Sequence, residues 1–314
     1  MSMIVTNRLD KLQTIAPCAV ALGAFDGLHR GHRVLIDTLL SESARHGLCS
    51  MVFTFDPHPD TVLHPDRPFP LLMTKEEKER ALDALDVGVL HYQVFDETFH
   101  TMEPEAFIDF IISHLSLRVI VAGYNYRFGY RGKGNADTLT ACCGDRGIDA
   151  IIIPPVIIDG ITVSSTRIRE ALADGDIILA NHMLGYEYEI QGQIAAGRGR
   201  GRTLGYPTAN LSMDEPGKML PAGGVYVTKV SWEGETHYGI TNVGINPTFE
   251  TDGDVRIETH IPGWSGELYG KKMRLCFLHR LREERSFTSG EALTAQLRDD
   301  MRAFEKLVYK KKDM

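Results

Sequence analysis

Ten residues, Gly23-Ala-Phe-Asp-Gly-Leu-His-Arg-Gly-His32, hold the densest chemistry in this chain. His29 and His32 stand three residues apart, with Gly23, Gly27 and Gly31 around them and one carboxylate, Asp26. An apolar stretch from Val20 leads in. An amphipathic pattern, Val34, Leu35, Ile36 and then Leu39 and Leu40, leads out. Strand, glycine turn and helix together aim backbone N–H groups and a helix N-terminus at an anion. Glycine lets the backbone approach a phosphate closely, and two histidines spaced i, i+3 can donate into one spot. The chemistry this suggests is binding and polarising a nucleotide's phosphates. Two plainer readings compete: a pair of surface histidines, or half of a metal site. Zinc wants a third ligand nearby, and no cysteine stands in the run. The GxGxxG dinucleotide fingerprint is absent from it.

Preceded by Phe25-Asp26-Gly27, the segment His29-Arg-Gly-His32 resembles the HxGH signature of the nucleotidyltransferase superfamily. More specifically, it resembles the flavin adenylyltransferase half of bacterial bifunctional riboflavin kinase/FAD synthetases. Downstream stretches follow in that family's order: TFDPHP (54–59), GYNYRFGYRGKG (123–134), SSTRIR (164–169), GRTLGYPTANL (201–211), NVGINPTF (242–249) and ETHI (258–261). Any one of these can arise by accident; the ordered set is specific and spans nearly the whole chain.

The elements that must position these motifs fall into two rhythms. In the first, apolar strand patterns at 19–25, 50–55, 88–95, 118–123 and 150–158 alternate with helical patterns at 31–46, 74–85, 103–115 and 135–146. Thr74 with Glu77 forms a capping box, and Gly47 ends the first helix. This alternation predicts a parallel sheet with helices on both faces, and puts the first motif where such sheets bind ligands. After about residue 185 short β-rich pieces follow one another between Gly/Pro turns, which predicts a small closed barrel. A helix at about 289–307 carries Leu293, Leu297, Met301 and Phe304 on one face and is expected to pack against it. The fold class is thus α/β plus all-β. With the resemblance, residues 1–184 are expected to be a Rossmann-like nucleotidyltransferase domain and 185–314 a β-barrel kinase domain with a terminal helix.

Composition narrows the setting. The 314 residues suffice for two domains, and 43% hydrophobic with 24% charged residues suits a globular enzyme. The net charge of -8 gives no global field for nucleic acid or anionic lipid, so phosphates must be met by local groups. Five cysteines, an odd number with Cys142 and Cys143 adjacent, argue for reduced thiols. The first dozen residues have no apolar core of signal-peptide length, and no run of about 18 apolar residues appears. The expected location is cytoplasmic.

For the first domain the resemblance implies transfer of an adenylyl group from ATP to FMN, releasing pyrophosphate. One phosphate attacks another, so catalysis is positioning and charge stabilisation. His29 and His32 are the expected stabilisers, with Gly23, Phe25, Asp26 and Gly31 contacting ATP. In SSTRIR, Ser164, Ser165 and Thr166 can cap a helix, and Arg167 or Arg169 can hold a phosphate. The alternative is an ordinary capped helix with solvated arginines. The resemblance favours Arg167 as catalytic, with Ser165 and Thr166 on ATP. In GYNYRFGYRGKG the aromatics alternate as a plain strand would; the functional alternative is a flavin-phosphate cradle with Asn125 and Arg127. Relatives often have Asp at 125, Phe at 126 and Asn at 24, where this chain has Asn, Tyr and Ala. His58 is either a turn histidine or a flavin contact, and Phe69 offers a stacking face.

For the second domain the resemblance implies phosphorylation of riboflavin by ATP with Mg²⁺. No GxxxxGK[ST] motif occurs, so the phosphate cradle is sought at Gly197, Gly201 and the Pro-Thr-Ala-Asn segment. Thr208 and Asn210 lie on one face if extended and offer neutral oxygens that suit Mg²⁺; by composition alone they are turn residues. Glu258, at an alternating strand position, faces either solvent or a site; the resemblance makes it the general base. Arg285, with Arg282 and Phe287, either lines the flavin pocket or is structural. Relatives continue past the base with Leu-Asp-Phe-type residues, where this chain has Pro262-Gly263-Trp264. The GRGRGR run (197–202) is read as a turn in preference to an RNA patch, and Lys310, Lys311 and Lys312 as a solvated tail.

The expected partners are riboflavin, FMN and ATP, with no nucleic acid and no membrane; the sequence is silent on oligomeric state. Two other functions stay open: a transferase with one active half, and a non-enzymatic flavin- or RNA-binding regulator on the same scaffold.

Overall fold

A computed structural model describes residues 2–12, 17–195, 205–215, 217–245 and 255–309. Gly197, Gly201, the GRGRGR run, residues 246–249 of NVGINPTF and the lysine tail lie outside the described residues. The chain divides into two compact units, Met1–Ser165 and Thr166–Met314.

In the first unit the strands are β1 (Ile4–Thr6), β2 (Cys18–Leu22), β3 (Cys49–Phe55), β4 (Val89–Gln93), β5 (Leu117–Gly123) and β6 (Asp149–Ile153). They form one parallel sheet in the order β1-β4-β3-β2-β5-β6. The helices are α1 (Arg30–His46), α2 (Pro59–Leu63), α3 (Lys75–Asp83), α4 (Glu97–His100), α5 (Pro104–His114) and α6 (Ala136–Gly144). β2 and β3 are buried on both faces, as their near-continuous apolar runs require. α1 lies across β2, β3 and β5. Phe107, Ile108 and Ile111 of α5 join Leu139 and Cys143 of α6, and Val20, Leu22, Phe53 and Ile120 of the sheet, in one core. The Thr74–Glu77 capping box and the left-handed Gly47 cap are both present.

Three expectations need correction. The first strand stops at Leu22 because the chain turns at Gly23 and Phe25 takes φ 49°. The strand expected at 150–158 ends at Ile153, and a small hairpin follows, β7 (Ile157–Ile158) with β8 (Ile161–Thr162). β1 was not anticipated: only three residues long, it pairs at the sheet edge with β4 and shows no alternation to read.

In the second unit α7 (Ser165–Asp174) and α8 (Ile177–Leu184) precede β9 (Glu189–Ala195), β10 (Thr208–Met213), β11 (Gly224–Trp232), β12 (Glu235–Ile245), β13 (Val255–His260), β14 (Lys272–Glu283) and α9 (Gly290–Tyr309). The six strands close an antiparallel barrel in the order β10-β13-β12-β11-β14-β9. α8 is tied to it by Asn181, whose Nδ2 donates to the Phe277 carbonyl (2.8 Å) and whose Oδ1 accepts from the Tyr188 N–H (2.8 Å). The Arg280 guanidinium donates to the carbonyls of Asp174 (3.1 Å) and Gly223 (2.7 Å). Inside the barrel Thr228, Thr241 and Thr259 are buried and form a hydroxyl ladder across β11, β12 and β13, at 2.7 and 2.9 Å.

α9 packs on the barrel through Phe304 and Val308 against Val227 and Leu278. Its polar anchor is Asp300, 4% exposed, whose carboxylate accepts from Arg282 Nε (2.9 and 3.1 Å) and an Arg282 Nη (2.8 Å), and from Gln296 Nε2 (2.9 Å). Asp300→Ala leaves a buried guanidinium without its partner and is expected to destabilise the barrel unit by about 3–5 kcal/mol. A denaturant titration followed by far-UV circular dichroism measures this. At Gly192, between β10 and β14, an added Cβ would be driven into the Ser212 carbonyl oxygen. Gly192→Ala is therefore expected to cost about 3 kcal/mol or more, read as a lowered thermal midpoint.

Candidate active sites

In the first unit the turn after β2 delivers both histidines to the start of α1. His29 is the N-cap, its Nδ1 accepting from the His32 N–H (3.2 Å). The two rings stack at 3.7 Å and 12°. Gly31 permits this: a Cβ there would stand 3.0 Å from His29 Cε1, tighter than nearly all real contacts. Phe25 is wholly buried with its ring 5.3 Å from that of His32. His32 is half-buried, and its Nδ1 is fully buried with no hydrogen-bond partner among the described residues. Burial first, then the neighbouring His29 and the Lys78 ammonium, push its pKa well below the ordinary value, so it stays neutral at pH 7.

Asp26 and Phe25, expected beside ATP, hold the turn together from within. The Asp26 carboxylate, 3% exposed, accepts the Leu72 N–H (3.0 and 3.1 Å) and the Met73 N–H (3.1 Å). Its side chain thus anchors the turn, while its carbonyl accepts from Ser165 Oγ (3.0 Å). That last bond joins the first motif to SSTRIR. The Ser165 hydroxyl is thus engaged outside its own helix, whereas a cap was expected. Thr166 and Arg167 are exposed in the first turn of α7.

GYNYRFGYRGKG is neither the alternating strand nor a flat cradle. β5 ends at Gly123, the chain turns, and Phe128 bridges to Gly134. Tyr126 and Phe128 stack at 5.7 Å toward the core, while Asn125 and Arg127 are exposed. The order polar-out, aromatic-in survives without strand geometry. His58 caps α2, its Nδ1 accepting from the Asp60 N–H (3.2 Å), and stacks on Phe69 at 4.4 Å and 22°. The two residues singled out separately for the flavin therefore lie together.

In the second unit a cavity of about 340 Å³ opens between the barrel wall and α9. Thr208 and Asn210 of β10, Glu258 of β13 and Asn242 of β12 line it, with Arg285 and Phe287 before α9 and Leu293, Leu297 and Met301 on it. Asn210, Glu258 and Asn242 are register partners across three adjacent strands, so they form one row. Asn242 was missed: in NVGINPTF it reads as one more turn-forming residue. Arg282 also lines the cavity, fixed by Asp300. A second cavity, about 570 Å³, lies on the other side of the same strands, bounded by Thr208, Ala209, Thr259, Ile261 and the 264–269 loop. Thr208 touches both. The Pro262-Gly263-Trp264 departure makes this second wall: Gly263 turns at φ 72° and Trp264 packs edge-on against Trp232 at 5.3 Å.

Among the described residues no three His, Cys, Asp or Glu gather as a metal site. Thr208 and Asn210 do line one cavity with Glu258. A neutral pair with room for phosphate oxygens fits Mg²⁺, which takes few protein ligands.

Residues 11–167 match the family model described as FAD synthetase, and residues 184–308 the one described as riboflavin kinase. A protein named bifunctional riboflavin kinase/FMN adenylyltransferase from Listeria monocytogenes is 36% identical over 90% of this chain and 89% of its own. Those of Bacillus subtilis (35%; 91% and 90%) and Escherichia coli K12 (32%; 92% and 92%) carry the same name. A solved Streptococcus pneumoniae structure, described as a macrolide-efflux protein, is 32% identical with a TM-score of 0.89 over 97% of this chain and 99% of that one. That description is its own; here no helix among the described residues is long and apolar enough to cross a membrane. With both models matched in order, and relatives above 30% identity along nine-tenths of its length, the chain belongs to the bifunctional riboflavin kinase/FMN adenylyltransferase family.

Proposed function

We propose that the barrel phosphorylates riboflavin to FMN and the parallel-sheet unit adenylylates FMN to FAD, each using ATP, with the division of labour at residues 184/185. The observation that carries the first assignment is the Asn210–Glu258–Asn242 row on the wall of one cavity. Glu258 accepts the proton of riboflavin's terminal hydroxyl as its oxygen attacks the γ-phosphorus of ATP and the bond to the β-phosphate oxygen breaks. Thr208 and Asn210 would hold Mg²⁺, which when bound neutralises phosphate charge. Leu293, Leu297 and Met301 give the isoalloxazine an apolar wall, and Arg285 stands at its rim. Gly197 and Gly201 are assigned to the ATP phosphates on the resemblance alone.

In the sheet unit the FMN phosphate attacks the α-phosphorus of ATP and pyrophosphate leaves. His32, held neutral, donates a hydrogen bond to the phosphoryl oxygens beside His29. Gly23 and Gly31 keep the turn open to ATP. On the resemblance, Ser165, Thr166 and Arg167 are assigned to ATP, and Asn125, Arg127, His58 and Phe69 to the flavin. The cytoplasm is the proposed place of work, supported by five free thiols.

Glu258→Gln is expected to lower FMN formation from riboflavin by about 10²-fold or more and leave FMN adenylylation intact. His32→Ala is expected to lower FAD formation from FMN by about 10²–10³-fold and spare riboflavin phosphorylation. Both are read by resolving FMN and FAD over time with Mg-ATP and either flavin. A folded variant in which both reactions fall together contradicts the division, and a wild-type protein silent in one reaction establishes the one-active-half alternative.

A further inference from the structure

Lys78 is a buried cation that nothing above employs. It lies in the first turns of α3, 7% exposed. Its Nζ passes behind the 23–28 turn and donates to the Ala24 carbonyl (2.8 Å), with Thr54 Oγ1 at 3.5 Å. Thr54, wholly buried on β3, donates to the same carbonyl (2.9 Å). Ala24 is therefore clamped twice, one residue before the positive-φ Phe25 that packs on His32.

Burying an ammonium costs several kcal/mol unless it is well paired, and an apolar side chain of similar size would fill the space more cheaply. The carboxylate beside it, Asp26, already serves two backbone N–H groups. In a chain of net charge -8, Lys78 is a positive charge standing directly behind the turn assigned to phosphates.

We propose that Lys78 is a positioning residue of adenylyl transfer: its ammonium fixes the Ala24 carbonyl from behind and supplies the standing positive charge against which the nucleotide phosphates settle beside His29 and His32. This rests on the reading of residues 23–32 as the adenylyl site.

The charge is conditional. Burial lowers the Lys78 pKa to about 8, with Lys75 acting the same way, while Asp26 and Asp56 act against it. Facing it are Asp26 and His32 from the turn and α1, Asp56 and Thr54 from β3 and its end, Tyr92 of β4 with its ring centroid 6.0 Å away, and Lys75 of its own helix. Tyr92 stays neutral well above this range because burial raises its pKa. Adenylylation should therefore fall as pH rises through about 8. Stability moves the other way. The folded pKa lies below the unfolded one, so between them the unfolded chain binds more protons and this group's contribution to stability rises with pH. Loss of rate on the alkaline side is then not loss of fold.

The test measures kcat/KM for FAD formation from FMN and Mg-ATP between pH 6.5 and 9.5 in the full chain. Wild type is compared with Lys78→Arg, Lys78→Met and Thr54→Val, with riboflavin phosphorylation and near-UV circular dichroism as fold controls. Wild type is expected to decline on the alkaline side from about pH 8. Lys78→Arg should remove that decline, since guanidinium keeps its proton throughout. Lys78→Met should lose about 10²-fold and show no alkaline limb, with riboflavin phosphorylation unchanged. Thr54→Val, which loses a clamp without a charge, should keep the wild-type limb. Wild-type rates and limb in Lys78→Met overturn the proposal. If Lys78→Met does not fold, a wild-type limb in folded Lys78→Arg overturns it equally. An unimpaired His32→Ala would remove the underlying reading, whereas an unimpaired Lys78→Met beside an inactive His32→Ala removes the proposal alone.

Discussion

The sheet unit's site hangs on one buried carboxylate. Asp26 takes the backbone N–H groups of Leu72 and Met73 out of the list of unsatisfied donors and so fastens the histidine turn to the segment leading into α3. Without that tie the turn would have to hold Phe25 at positive φ by itself. With it, Phe25 becomes the floor under His32 at the start of α1. An acidic chain has no general field with which to draw phosphates, so the attraction must be local and directional. A turn whose geometry is over-determined provides that at no reorganisation cost when the ligand arrives.

The barrel solves a related problem with strand alternation. Along β10 and β13 successive residues point to opposite faces, so the row containing Glu258 faces the cavity under α9 while Thr259 and Ile261 face the second cavity. The Glu258 carboxylate and the second cavity are thus brought within one strand's thickness of each other. α9 completes the first cavity, and its Asp300 anchor shows why a charged residue belongs on an otherwise apolar face: it fixes Arg282, and with it the end of β14 that borders the cavity.

Much of this was legible in the residues. Five strands and four helices of the sheet unit follow from apolar periodicity and caps, and the barrel from its turn spacing, because burial imposes those patterns on the chain. In the barrel Thr208, Asn210, Glu258 and Arg285 line one cavity. What was not legible depends on tertiary partners. Lys78 sits in KEEKER and Asp300 in RDDMR, stretches that look like solvated helix faces; only the packing of α3 and α9 puts those two inside. The anchoring role of Asp26 is invisible in its motif because its partners, Leu72 and Met73, stand some 46 residues away. The aromatic alternation of 124–128 mimics a strand because turn residues, too, can send large side chains to the core, as Tyr126 and Phe128 do while Tyr124 stays exposed.

The threonine ladder inside the barrel has a bearing on how this sequence can drift. Both Thr228 and Thr259 meet the hydroxyl of Thr241, so valine in the middle position leaves Thr259 without that partner and Thr228 with only the long bond to the Gly239 carbonyl (3.4 Å). Valine at all three leaves no hydroxyl to satisfy. The middle step alone is therefore penalised where the triple step is not, which makes the three codons epistatic. Lineages should hold the trio as a block or exchange it as a block, with few intermediates between.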